Sequence, residues 1–558
     1  MSHPFIARTR ALLPRASDWQ TARRHPRQNL LAGLTVSLVA LPLALAFGVA
    51  SGAGAGAGLV TAIVAGAVAA VFGGSNLQVS GPTGAMTVVL IPVVHRFGVD
   101  GVLTVGLLAG AILVLAAVLR LGRAARYLPA PVIEGFTAGI AVVIVLQQVP
   151  AALGAAGGGD KAWQSAWSAV RHFAADPHPW PLAIALGVAA VMLAGVHWRP
   201  GVPFSLLAIA VVAVTARLTH LPVVRIGSLP EGLSAPSLGF LDPGSIGTLL
   251  PSALAVAALG ALESLLSATV ADGMTVGQRH DPDRELFGQG LANLVVPLFG
   301  GVPATAAIAR TAVNVRSGGN SRLAACTHAL GLAAVVYLAA PWVSQIPVAA
   351  LAGVLIATCV QMVEVGSLAT LARATRSDAV VLAATFAVTV AVDLVTAVTV
   401  GIAVAVVLAL RAVARSSQLE QVPLDAADHA AEEFELLSRN IVAYRLDGPL
   451  FFAAAHRFLL ELTEVADVRV IILRLSRLTT VDATGAHVLG DAISRLEHRG
   501  ITVLLSGIRP QHGQVLRRLG VAEHLRRDGL IFRDTPAAIG YARTLLGAAD
   551  PIGQPAAP

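Results

Sequence analysis

The chain has 558 residues, 55% of them hydrophobic and 13% charged, with a mean hydropathy of +0.74. A soluble globular chain carries about 25% charged residues, so most of this one is built to sit in lipid. The formal charge of +7 comes as short arginine clusters between apolar runs, which is an orientation signal and not a nucleic-acid-binding face.

Residues 1–28 are polar and basic, with Arg8, Arg10, Arg15, Arg23, Arg24 and Arg27. They read as a cytoplasmic N-terminus without a cleavable signal peptide. A membrane region over 29–415 follows, with apolar runs at 30–50, 56–73, 82–94, 101–119, 131–149, 180–197, 202–217, 250–270, 287–300, 304–314, 322–341, 346–363, 378–392 and 394–413. Two of these fourteen segments, 82–94 and 304–314, are too short to cross a ~30 Å hydrocarbon core as helices. With the N-terminus inside, Arg120, Arg123, Arg126, Arg199, Arg279, Arg284, Arg316, Arg322, Arg373, Arg376, Arg411 and Arg415 all fall inside. The outside loops hold few basic residues, among them Lys161, Arg171 and Arg225. This is the positive-inside bias, and an even number of segments puts the C-terminus inside as well.

The short segments are the third of the first seven and the third of the second seven. Seven is odd, so the two halves have opposite orientations. Each short segment follows a break, "SGPTG" (Ser80–Gly84) in the first half and "GGVPAT" (Gly300–Thr305) in the second. Matched interruptions in inverted halves point to a transport site near the bilayer midplane. An extended stretch there can start a half-helix, and Pro82 is tolerated in a first turn. Two half-helices running apart from the middle bring their N-termini together, which favours an anion between them.

Several side chains could carry chemistry. Glu263 lies mid-run in the eighth segment, with Ser267 one turn later on the same face; a carboxyl at that depth marks an ion or proton path. Arg310 is expected two turns into the second half-helix. It either adds a forked cation beside the helix start or snorkels to the cytoplasmic face. Glu134 reads as a helix-start residue and Asp393 as part of a tight turn. "SGAGAGAG" (Ser51–Gly58) lacks a flanking strand and a Walker lysine, so close helix packing is expected there. The two cysteines, Cys326 and Cys359, lie in apolar runs and read as small buried hydrophobes. No zinc spacing, nucleophile elbow or catalytic triad appears, so neither a metal, a cofactor nor an enzyme activity is expected.

Beyond Arg415 the composition changes. Residues 416–431 read as a linker, 432–546 as a small α/β domain of alternating strands and helices, and 547–558 as a disordered tail. Thr484, in "VDATG", is expected at a helix N-terminus, where its hydroxyl caps the helix or a phosphate would be stabilised.

Taken together, "LVALPLALAFGVASG", "GGSNLQVSGPTGAM", "PAPVIEGFTAGIA" and "FGGVPATAAIARTAVNVRSGG" resemble the sulfate permease (SulP) family of anion transporters. These are the bacterial relatives of the mammalian solute-carrier 26 proteins. "LDGPLFFAAA" and "VDATG" resemble the family's C-terminal STAS domain, and the likeness covers nearly the whole chain. It implies an α-helical polytopic protein with a uracil-permease-like seven-plus-seven inverted repeat, two half-helices and an α/β STAS domain. It also implies a homodimer in the bacterial cytoplasmic membrane and a possible cytoplasmic protein partner for the STAS domain. The substrate site would include Phe47, Thr83, Gly84, Ala309 and Arg310. Ala309 stands where several animal members have Ser. "GALESLLSATVADGMT" looks most like the branch that moves C4-dicarboxylates such as succinate, with a proton carried through Glu263 and Ser267. The sodium-coupled bicarbonate branch has Asp where Glu263 stands and a Thr where Ile308 stands, and it lacks the arginine at 310. Thr484 matches the STAS phospho-acceptor position. Sulfate or bicarbonate transport or anion exchange remains open, as do a nucleobase permease of the same fold, an anion channel and a membrane-tethered STAS regulator.

Overall fold

The computed structural model describes residues 12–123, 129–159, 161–199, 202–227, 229, 232–392, 394–416, 418–422, 440–451, 468–521 and 523–546. Apolar runs bounded by Gly, Pro and Arg become helices. In chain order these are α1 (Gln20–Arg24), α2 (Pro26–Ala50), α3 (Ala55–Phe72), α4 (Gly84–Val118), α5 (Ala130–Leu153), α6 (Ala162–Ala175), α7 (Pro179–Trp198) and α8 (Phe204–Leu218). Then come α9 (Ile246–Gly273), α10 (Pro282–Val295), α11 (Ile308–Arg316), α12 (Arg322–Val343), α13 (Val348–Met362), α14 (Val365–Ala374), α15 (Arg376–Ala391) and α16 (Leu394–Ser416). Two-residue strands, β1 (Ser80–Gly81) and β2 (Thr305–Ala306), precede α4 and α11. Proline stands in the first turn of α2, α5, α7 and α10, where its missing N–H leaves nothing unpaired. Among the described residues, nine helical stretches are long and apolar enough to cross a membrane.

Within α4 the third and fourth runs are two helices that meet at a break at Gly98 (φ 67°, ψ −168°), a conformation that only glycine adopts freely. Two expectations are corrected. The helices after the breaks start later than the apolar runs do, at Gly84 and Ile308, because the preceding residues are extended. Two amphipathic helices, α6 and α14, occupy stretches read as loops. On α6, Trp163 and Trp167 are exposed, and the Arg171 guanidinium stacks 5.9 Å from the Trp167 ring. That pattern suits a helix lying at an interface. Cys359 is buried as expected, but Cys326 is only partly so. Asp393, Arg126 and the 547–558 tail lie outside the described residues.

The helices of the first compact unit, residues 1–403, pack as two sets. In one, α2 and α3 pack on α12, α3 and α4 on α10, and α4 on α9. In the other, α5 packs on α15 and α13, and α13 on α7. Small residues allow the close approaches. A methyl on Gly110 would lie 2.6 Å from the Leu294 backbone nitrogen, and one on Gly135 would lie 2.6 Å from the Leu382 carbonyl oxygen. In "SGAGAGAG", Gly58 packs against Gly48 so closely that a Cβ would stand 2.8 Å from the Gly48 Cα, which is the expected helix-packing role.

The second unit, residues 404–558, holds a mostly parallel sheet. Its strands are β3 (Gln418–Val422), β4 (Ile441–Leu450), β5 (Val470–Arg474), β6 (Leu478–Val481), β7 (Thr502–Ser506) and β8 (Ile531–Phe532). The order is β3-β4-β5-β7-β8, with β3 antiparallel to β4 and β6 paired to the end of β4. β3 lies inside the stretch read as a linker. Its helices are α17 (Ala483–His498), α18 (Pro510–Arg518), α19 (Glu523–Arg527) and α20 (Thr535–Leu545). Along β5, Ile471 and Leu473 join Leu489, Ile493 and Leu516 on one face, while Val470 and Ile472 join Ala538 and Ala542 on the other. Burial on both faces is why Val470–Leu473 reads as an unbroken apolar run.

The breaks are held from one helix. On α10, Glu285, Gln289 and Asn293 recur every four residues and share a face. The Glu285 carboxylate accepts from the Gly74 and Ser75 N–H groups at 2.9 and 3.1 Å. Gln289 donates to the Ser80 hydroxyl at 2.7 Å. Asn293 donates to the Ala304 carbonyl and accepts from the Ala304 N–H, both at 2.8 Å. Elsewhere Asn314 donates to the Leu77 carbonyl at 2.7 Å, Thr61 to Val302 at 3.0 Å and Thr305 to Gly260 at 3.1 Å. Irregular backbone at membrane depth survives only when its polar groups are met in this way. Asn293→Ala strips both partners from Ala304, at about 1–3 kcal/mol for each orphaned group. A clear fall in the melting temperature of the detergent-solubilised protein is expected; an unchanged melting curve would count against this account.

Candidate functional site

β1 and β2 pair antiparallel, Ser80 opposite Ala306 and Gly81 opposite Thr305. The chain leaves the paired strands at opposite ends, and α4 and α11 each start within three residues of the pairing. Neither helix start is capped by a side chain: Thr83 precedes α4, Ala307 precedes α11, and both are extended. Thr83 would ordinarily accept from a first-turn amide. Instead its hydroxyl donates to Glu263 Oε2 at 2.8 Å. Two helix starts are thereby left with open amides and their positive dipole ends.

Arg310 is the third residue of α11, in its first turn and not two turns in. Its side chain is 1% exposed, which rules out snorkelling to an aqueous face. It folds back over β1, and a Cβ on Gly81 would strike its Nη1. Neither Nη1 nor Nη2 has a hydrogen-bond partner among the described residues. A buried, forked cation with two unused donor groups, beside two open helix starts, can bind an oxyanion or carboxylate in bidentate fashion.

The other expected residues are placed as follows. Phe47 and Gly84 meet: a methyl on Gly84 would stand 3.1 Å from the Phe47 ring. Ala309 is exposed in the first turn of α11, beside Arg310. Glu263 is partly accessible on α9. Ser267 is buried, and its hydroxyl donates to Thr311 at 3.1 Å, so it is tied to α11 rather than to Glu263. Glu134 lies in the second turn of α5 and accepts from Ser367 at 3.0 Å, away from this cluster. Thr484 does not cap α17; Asp482 does, accepting from the Gly485 N–H at 2.7 Å, which leaves Thr484 exposed in the first turn.

The sequence reading missed the strand pairing and two residues near the crossing. Thr311 accepts from the Val79 N–H at 3.3 Å and locks β1 to α11. His328, on α12, is fully buried with no partner for either ring nitrogen among the described residues. Its only signal in the sequence was a histidine inside an apolar run.

Residues 27–385 match the sulfate permease family and residues 437–538 match the STAS domain. YvdB of Bacillus subtilis, provisionally named a sulfate transporter, is 33% identical over 89% of this chain and 94% of its own length. The bicarbonate transporter BicA of Synechocystis is 31% identical over 89% of this chain and 90% of its own length. The solved transmembrane domain of a cyanobacterial BicA is 31% identical, covers 69% of this chain and 98% of that one, and has a TM-score of 0.61. The murine Solute Carrier 26 family member A9 anion transporter, in its inward-facing state, shares the fold with a TM-score of 0.83 over 98% of this chain and 96% of that one, at 18% identity.

Gly81→Ala tests the geometry of the crossing. The added methyl would push the guanidinium aside and also stand 3.3 Å from the Ala62 Cα, so elution as a single species is the first readout. We expect the half-saturation concentration for anion uptake to rise about tenfold, equivalent to ~1.4 kcal/mol. Wild-type affinity in a well-folded Gly81→Ala protein would show that Arg310 need not lie against β1.

Proposed function

The chain belongs to the sulfate permease family, and from that premise we propose that it takes up an anion by alternating access, with a proton carried on Glu263. It is a multi-pass membrane anion transporter of sulfate- and bicarbonate-type kin, with a C-terminal STAS domain. The observation that carries the proposed mechanism is the buried Arg310 guanidinium, with both terminal nitrogens unused, at the junction of two uncapped helix starts. The anion is held there by Arg310 and the first turns of α4 and α11, with Phe47, Gly84 and Ala309 beside it. Thr83 links this place to Glu263.

That link supplies the coupling. An anion beside Arg310 is repelled by Glu263 while that carboxylate is ionised. Protonating Glu263 removes the repulsion, so anion and proton bind better together than apart. Thr83, hydrogen-bonded to the carboxylate, ties its protonation to the start of α4. The Ile308 side chain offers no oxygen to a hard cation, which favours a proton over sodium.

The architecture behind this reading is a seven-plus-seven inverted repeat. Its support is a packing pattern that survives exchange of the halves. The α2–α12 contact exchanges with α9–α4, α3–α12 with α10–α4, and α5–α15 with α13–α7, while α3–α10 and α5–α13 map onto themselves. The extra helices α6 and α14 follow the fifth and twelfth segments, again matched places.

For the substrate we favour a C4-dicarboxylate such as succinate, on the likeness of "GALESLLSATVADGMT" and "GGVPATAAIAR" to that branch. Sulfate or bicarbonate is the second reading, favoured by the names that YvdB and BicA carry. Thr484 is exposed on the first turn of α17, where a phosphate would gain from the helix N-terminus, and it is the phospho-acceptor of this reading.

Uptake of labelled succinate, sulfate and bicarbonate into proteoliposomes, with and without an inward proton gradient, separates the substrates. Succinate should accumulate only with the gradient. Glu263→Gln should abolish that accumulation yet keep exchange of internal for external anion. Full gradient-driven accumulation by Glu263→Gln would remove the proton role.

A further inference from the structure

His328 has no part in the mechanism above, yet it is buried next to the site. On α12 it is wholly enclosed, and neither ring nitrogen has a hydrogen-bond partner among the described residues. Its place relative to Arg310 follows from two neighbouring glycines. A methyl on Gly66 would lie 3.5 Å from the Ser80 carbonyl oxygen and 3.7 Å from His328 Cδ2. A methyl on Gly81 would strike Arg310 Nη1. His328 thus lies beside Gly66, whose other neighbour is Ser80, and the guanidinium lies against the next residue of β1, Gly81. Four buried nitrogens, two on each side chain, lack partners among the described residues. Buried polar atoms are nearly always hydrogen-bonded, and polar groups beyond direct reach are commonly joined by an ordered water.

We infer that His328 is a positioning residue for Arg310, holding the guanidinium in its anion-facing pose through a bridging water. The water accepts from a guanidinium N–H and donates to the unprotonated ring nitrogen. An imidazole suits this place because it brings an acceptor without a negative charge. A carboxylate there would pair with Arg310 and compete with the anion for it. The inference rests on the reading of Arg310 as the anion ligand.

The test compares His328→Phe, which keeps a ring but has no acceptor, with His328→Gln and His328→Asn, which each keep one. The readouts are the half-saturation constant and the maximal rate for labelled succinate, sulfate or bicarbonate, whichever the wild-type protein carries, in proteoliposomes. Arg310→Gln is run alongside. His328→Phe should raise the half-saturation constant about tenfold with little change in maximal rate. His328→Gln or His328→Asn should return it close to wild type, and Arg310→Gln should abolish saturable uptake. Should His328→Phe fail to elute as a single species, His328→Leu repeats the measurement. Wild-type affinity in His328→Phe, with Arg310→Gln inactive, would overturn the inference alone. So would equal loss of maximal rate in all the His328 variants, which is the mark of a packing role. Wild-type affinity in Arg310→Gln would overturn the anion reading and this inference with it.

Discussion

A backbone that leaves helical geometry at membrane depth must find a partner for every N–H and C=O it exposes. Most of what is distinctive in this molecule answers that demand. The two breaks satisfy part of it with each other, through the β1–β2 pairing. The rest falls to side chains that would be out of place in an ordinary spanning helix. Glu285, Gln289 and Asn293 form a polar stripe on α10, and each is at most 1% exposed. They give that helix a composition too polar to face lipid, and it packs between α3 and α4 instead. The site therefore rests on a helix whose own position is fixed by the polar groups it must satisfy.

The second constraint is charge. Arg310 is buried with no carboxylate paired to it among the described residues, and Glu263 is engaged by Thr83. Burying an unpaired ion is costly, so a cation left in this condition implies an anion that completes it. Diverting the Thr83 hydroxyl to Glu263 has the same sense. A capped helix start would have consumed the donors that a bound anion needs. The guanidinium is left without a partner among the described residues, while side chains of α10 and α11 supply partners to the backbone of the breaks.

Much of this was legible in the sequence, and the rest was not, for physical reasons. Run length and hydropathy marked the helices, and Gly81-Pro82 and Gly300–Thr305 marked the breaks, because both signals are local. The likeness to the sulfate permease family carried over Arg310, Thr83 and Phe47. Pairing of two-residue strands 224 positions apart has no local signal; Ser80 and Thr305 are unremarkable until the fold opposes them. The α10 stripe was hidden because Glu285, Gln289 and Asn293 look like a solvated face. Helix starts slipped by a few residues for the same reason: extended residues such as Ala304 and Ala307 are as apolar as the helix that follows. His328 could not be singled out, since a histidine in an apolar run usually has a partner nearby. Its lack of one is visible only in three dimensions.

The polar contacts named around the breaks all stay within the set formed by α2–α4 and α9–α12. The first turn of α10 extends that bonding to the loop ends: Asp283 accepts from the Gly122 N–H at 3.1 Å and pairs with Arg123 at 3.3 Å, and Arg284 pairs with Asp18 at 2.6 Å. Directional bonds of this kind resist shear. The boundary with the other set is of a different nature. There Leu41, Phe47 and Leu45 join Phe136, Ile140, Ile144, Ile209 and Leu351 in one apolar cluster. Apolar contact is non-directional and depends on area more than on register. A body knitted by hydrogen bonds, resting on an apolar face, can change its position as a unit without breaking what holds its site. In such a molecule Arg310, Glu263 and the two helix starts would travel as one piece.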